Sequence, residues 1–194
     1  MSLAPLPAPV PVLVLNMVLV WALLGAPLAW PAALWPEERQ RLSVGLKLFP
    51  AVLRAQQGLA SKGRADGTLT VVVVYQGPDE AARRAAASIA DLDEIQGIAL
   101  AVRTVAIDEL DADRDRSLAA IFIATPALGA ERLGVLCERH RTLVFSPFAG
   151  DVADGAVAGV HVTDHILPAV NLPQARRAGV HFKPFFLRIV HRVE

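Results

Sequence analysis

The sequence predicts an α/β fold: a three-layer, open and mostly parallel sheet flanked by helices, with a C-terminal hairpin and helix. Three observations carry that expectation. Thr68–Tyr75 (TLTVVVVY) is an unbroken, β-branched run of the kind buried on both faces of a parallel sheet. Strand-like and helix-like stretches then alternate three times, the pattern of a sheet with helices on both faces. After Ser146 the spacing changes, and residues 159–163 and 166–172 alternate like a hairpin.

Taken in order, residues 38–61 have apolar positions Leu42, Leu46, Phe49 and Leu53 at helical spacing, with Pro50 expected to kink or split the helix. Asp66-Gly67 is a turn signal before the first strand, and Gly77-Pro78 ends that strand. Residues 78–92 read as a helix carrying Asp79→Arg83 and Glu80→Arg84 pairs four apart. Gly97 leads into a second strand, 98–107, and the charge-dense stretch 108–117 reads as a solvated loop or short helix. A third strand spans 118–124. A third helix, 128–140, has basic residues at its C-terminal end, where the helix dipole favours them. A short fourth strand covers 142–145. Residues 173–178 start a short helix. Residues 183–193 are expected to form the last one, with Pro184 in its first turn and Phe186, Ile189, Val190 and Val193 as a core-facing stripe.

The chain has 194 residues, 19 Lys+Arg against 19 Asp+Glu, and 54% hydrophobic residues. Zero net charge offers no electrostatic case for nucleic acid or anionic lipid as the main partner. The apolar excess is concentrated in residues 1–36, which hold all three tryptophans, both methionines and no charged side chain before Glu37. Val12–Ala26 has the size of a secretory h-region, shorter than the roughly 20 residues of a spanning helix. Residues 1–36 therefore read as a signal peptide or N-terminal anchor, and residues 37–194 as a single, exported α/β domain. A buried N-terminal helix is the alternative.

Chemical motifs are few. Cys137 is the only cysteine, so no intramolecular disulfide forms. It reads as a small buried apolar side chain, although Arg139, His140 and Arg141 lie close in sequence. His161 and His165 are four apart, which on a helix would suit zinc. In a strand, four residues span about 13 Å at about 3.3 Å each, so no metal is expected. A triad of Ser146, His161 and Asp151 can be drawn, but nothing supplies the geometry that a nucleophile and its base need. No cofactor and no enzymatic activity are expected. The more informative stretch is Ser146–Gly155, directly after the fourth strand. Ligands settle at the carboxyl ends of strands in open α/β sheets, so Ser146, Gly150, Asp151 and Asp154 form a candidate ligand or partner loop. A turn-rich loop using Gly and Asp for its backbone angles explains them too.

The last third resembles the YfiR-like family of small periplasmic proteins. The residues that carry this are Val170-Asn171-Leu172, then Ala175-Arg-Arg-Ala178-Gly179-Val180, then Phe185-Phe186-Leu187-Arg188. They reproduce a strand closing in Asn-Leu, a short helix closing in Ala-Gly, and a last helix built around two apolar residues, here Phe186 and Leu187. Leu143–Ser146 followed by a Gly/Asp loop fits the family's penultimate strand. The resemblance implies a non-enzymatic regulator that binds the periplasmic domain of an inner-membrane diguanylate cyclase or sensor kinase. Such binding represses cyclic-di-GMP synthesis and biofilm formation. It also leaves room for a homodimer. The chain departs from the family in having one cysteine where characterised members form disulfides. It departs again in Leu46-Lys-Leu-Phe49-Pro50, where many members have a Phe…Trp-Pro segment.

Two other functions compete. One is a small-ligand binding protein resembling one lobe of ABC-type solute-binding proteins. The other is an exported hydrolase that would depend on Ser146, Asp151 or a histidine.

Overall fold

β-branched residues make the centre of the sheet. The computed structural model describes residues 34–112 and 117–193. The leader reading of residues 1–36 therefore falls outside the described residues, except for its last three. Among the described residues, no helix is long and apolar enough to cross a membrane.

The chain enters helix α1 (Pro36–Arg54), where Glu38 reaches back to accept a hydrogen bond from the Trp35 backbone N–H at 2.7 Å. A 3-10 turn (Leu59–Lys62) leads into β1 (Leu69–Tyr75). Then come α2 (Glu80–Ala90), β2 (Glu94–Ile95), β3 (Ile98–Ala106) and α3 (Ile107–Ala112). β4 (Leu118–Ile123), α4 (Ala130–His140) and β5 (Leu143–Ser146) follow. The C-terminal part holds β6 (Ala158–Val162), β7 (Ile166–Asn171), α5 (Leu172–Arg177), α6 (Pro184–Leu187) and β8 (His191–Val193).

All eight strands join one sheet in the order β2-β3-β1-β4-β5-β6-β7-β8. β3, β1, β4, β5 and β6 are mutually parallel, and β2, β7 and β8 run antiparallel to these five. The expected α/β fold with a mostly parallel sheet is the fold observed. From β1 the chain steps one way to β3, then crosses back to β4, β5 and β6. Right-handed crossovers require helices on opposite faces for the two directions. α2 accordingly packs with α1 on one face, and α4 packs with α5 on the other.

The core forms where α1 lies across β4 and β5. Phe49 meets Phe122 edge-on at 5.2 Å and Phe145 at 5.5 Å, and Phe122 stacks on Phe145. Gly45 permits this close approach, because a Cβ there would sit 2.5 Å from the Pro147 Cβ. Pro50 does not split α1, which runs through it to Arg54 and stops seven residues before the expected end. Gly58, with φ of 66°, turns the chain there. The end of α1 is also tied to the far end of the domain. Gln57 donates to the backbone carbonyls of His181 and Phe182 at 2.8 and 2.9 Å, and the Lys183 N–H donates to the Ala55 carbonyl at 2.9 Å.

The hairpin of β6 and β7 forms as expected, but the long last helix does not. Only Pro184–Leu187 is helical, and residues 191–193 form β8, paired in parallel with Ala169–Asn171. Of the expected apolar stripe, Phe186 is buried while Ile189 is 58% exposed. Two forces end the helix. The Arg192 guanidinium donates twice to the Leu187 carbonyl, at 3.2 and 2.7 Å, and so occupies a helix-end acceptor. The open edge of β7 then offers backbone hydrogen bonds to His191–Val193. β2 was not foreseen either. Gln96 and Gly97 both have positive φ, 56° and 76°, which makes the tight hairpin turn that pairs Ile95 with Ile98.

Candidate functional site

Two strand ends on the same rim of the sheet could serve a ligand. The first is the predicted loop after β5. Ser146 is fully buried, accepts from the Phe148 N–H at 3.3 Å and donates its hydroxyl to Asp151 Oδ2 at 2.5 Å. Asp151 is buried as well. Burial raises its carboxyl above the ordinary range, the Ser146 hydrogen bond opposes that, and neighbouring Asp154 adds to it. Gly150 has a φ of 86° and its carbonyl accepts from the Asp154 N–H at 2.9 Å. The Asp151 carbonyl accepts from Ala156, and the Val152 carbonyl from the Asn171 side chain. A Cβ at Gly159 would lie 2.2 Å from the Ser146 carbonyl oxygen, so the strand passes directly under this loop.

The four predicted residues thus do come together, but unequally. Ser146 and Asp151 point inward and bond each other, while Gly150 and Asp154 are exposed at the rim. The arrangement ties β5 to β6 and β7, and its hydroxyl sits out of reach of a substrate. His161 does not join it as a base; its ring stacks on His191 at 3.6 Å across β7. Among the described residues, no three His, Cys, Asp or Glu side chains gather as a metal site. Cys137 is fully buried, with its thiol against the Gly155 carbonyl at 3.2 Å. Burial pushes it up to about 12, so it stays a thiol at any physiological pH.

The second strand end was not foreseen. In a doubly wound sheet the crevice opens where neighbouring connections leave in opposite directions. Here that point lies between β1 and β4. The Gln76 N–H donates to Thr125 Oγ1 at 3.1 Å, bridging the two strand ends. Beyond Thr125 a recess of about 500 Å³ is lined by Leu128, Gly129, Ala130, Glu131, Arg132 and Val135. Arg132 pairs there with Asp108 at the start of α3. Gly77-Pro78 and Thr125-Pro126 mark both strand ends in the sequence, but only the strand order makes them neighbours.

The residues carrying the family resemblance have structural work of their own. Asn171 Oδ1 accepts from the Gln174 N–H at 2.9 Å and so caps α5, and Asn171 Nδ2 donates to the Val152 carbonyl at 2.8 Å. Leu172 opens α5, Ala178 is buried at its end, and Gly179, with φ of 67°, turns the chain out. Phe186 is buried and stacks at a tilt near Phe182, while Leu187 packs on the core's margin.

Large apolar side chains are exposed mainly in this last third. They are Val162, Ile166 and Leu167 on the hairpin, then Phe185 and Ile189 before β8. Val162 and Ile166 are cross-strand partners.

The strand order defines a class: an open, doubly wound α/β domain. No protein-family model matches the chain, and no curated protein does. Among solved structures, it is similar to one described as the ABC domain in complex with L-Trp from Streptococcus pneumonia. The TM-score is 0.53 at 12% sequence identity, over 79% of this chain. The chain spans 60% of that structure's length. At this identity the likeness concerns the fold alone.

Proposed function

We propose that the chain is a non-enzymatic, exported regulator that binds the periplasmic domain of an inner-membrane signalling enzyme, a diguanylate cyclase or a sensor kinase. The observation that carries this reading is the run of exposed apolar side chains from Val162 to Ile189. Isolated exposed apolar residues are ordinary, but several on one hairpin and the segment beside it suit a protein partner. The family-like ending supplies the kind of partner. Docking there inhibits the enzyme and lowers cyclic-di-GMP, and a second copy of the chain competes for the same surface.

The test is affinity capture from the native membrane fraction, followed by titration of the recovered enzyme's periplasmic domain with the full chain. A saturable complex that Ile166→Ser combined with Ile189→Ser weakens at least about tenfold supports the proposal. Recovery of no membrane signalling protein, or an unchanged Kd in the double variant, overturns it.

A second reading is a small-ligand binding domain. It is favoured by the similarity to a domain solved with L-Trp and by the recess at the start of α4, the helix that follows β4. A metabolite that raises the melting temperature of the wild-type chain, and does so less in Arg132→Ala, supports it.

A further inference from the structure

We propose that a recess on the β1/β3 side of the sheet binds a small oxyanion, the carboxylate or phosphate group of a metabolite. The recess measures about 380 Å³ and is lined by Arg64, Asp66, Thr68, Thr70, Ala101, Val102 and Arg103. It lies toward the opposite end of the strand order from the exposed hairpin, so it stands or falls independently of the docking proposal.

The register builds it. Thr70 pairs with Ala101 and Val72 with Arg103, so Thr70, Ala101 and Arg103 share one face of the sheet. Ala101 contributes only a methyl group between the two longer side chains, and the space above it stays open. Thr70 also sits at the one irregularity in the pairing of β1 with β4, between Thr70 and Val71.

The chemistry of the wall favours an oxygen anion. The Thr70 hydroxyl is buried and has no hydrogen-bond partner, although the residue lines the recess. A buried polar group without a partner is unusual and unfavourable, and a rotation of the Thr70 side chain toward the recess would let an oxyanion relieve it. Two guanidiniums line the same space. Arg64 and Arg103 each hold an interaction within the chain, but a guanidinium carries five N–H donors and can serve a ligand as well. Charge-assisted, two-pronged bonds from arginine suit both carboxylate and phosphate. Asp66 sets the limit. Its carboxylate accepts from the Thr68 hydroxyl and N–H at 2.7 and 2.9 Å, which holds it ionised. Against two arginines it leaves one net positive charge, which suits a singly charged carboxylate better than a doubly charged phosphate.

Thermal melts of the full chain in sodium acetate, in sodium phosphate and in sodium chloride of matched ionic strength test this. An anion held at about 100 times its Kd raises the melting temperature by several degrees over chloride. Acetate is expected to act at lower concentration than phosphate; the reverse order assigns the site to a phosphate group. Thr70→Val keeps the shape and removes the orphaned hydroxyl. It should melt no lower than wild type without anion and lose the anion-dependent shift. Arg103→Gln should weaken binding at least about tenfold, and if it does not fold, Thr70→Val decides alone. No shift beyond chloride with either anion, or a full shift retained in Thr70→Val, overturns the proposal.

Discussion

The centre of this sheet and its β6–β8 end are finished differently. β4 buries every side chain and β1 all but Tyr75, with helices over both faces. The distal half of the β6–β7 hairpin and the segment before β8 leave Val162, Ile166, Leu167, Phe185 and Ile189 in solvent. Both regions are rich in apolar side chains, so composition does not distinguish them. The difference is coverage. The parallel strands are wrapped by their own crossover helices, whereas the hairpin is followed by two helices of six and four residues, too short to cover it. Apolar content in the first region makes stability; in the second it is left exposed, as the proposed docking requires.

The contrast breaks most sharply at Phe122. It sits in the middle of the Phe49–Phe122–Phe145 cluster and is fully buried. Phe122→Ala should destabilise the domain by about 3–5 kcal/mol, read from denaturant midpoints. A loss below 1 kcal/mol would show that this cluster is not the mainstay of the core.

The seam between the two regions comes next. Asn171→Ala removes the cap of α5 and leaves the buried Val152 carbonyl without its donor. The expected cost is about 1–3 kcal/mol, and Asn171→Asp should restore the capping part but not the donor.

Asp151 gives a smaller effect with a definite sign. Burial raises its carboxyl in the folded protein, so folding favours the protonated form. That contribution is present below the ordinary carboxylate range and is lost as pH rises through the raised native value. Asp151→Asn should therefore flatten the pH dependence of the urea midpoint between acidic and neutral pH. An unchanged profile would mean that the Ser146 hydrogen bond fully offsets the burial.

The smallest stability effect is expected at the open end. Ile166→Ser and Ile189→Ser should each change stability by less than about 0.5 kcal/mol while impairing partner binding. A large loss of stability would reassign both residues to the core.

Much of this architecture is legible in the residues. The Thr68–Tyr75 run announced the central strand, and the Asp79/Arg83 and Glu80/Arg84 spacing announced α2, where both pairs form at 2.7 and 3.1 Å. Local rules failed where a distant strand decided the outcome. Phe186, Ile189, Val190 and Val193 have helical spacing, yet the free edge of β7 draws residues 191–193 into the sheet. The Ser146–Asp154 stretch was read for its place after a strand. That place is real, but whether its polar groups face a ligand or each other depends on Gly159 and Asn171, which arrive later in the chain. The β1/β4 crevice stayed hidden for the same reason, because strand order is a property of the whole sheet.

The bonds from Gln57 to His181 and Phe182, and from Lys183 to Ala55, join positions about 125 residues apart. A chain emerging N-terminus first from a ribosome cannot make them until residues 181–183 have emerged. α1 must wait for its last neighbours, and the β6–β7 hairpin for β8. Completion of this fold therefore waits on residues 181–193, however early the central strands pair.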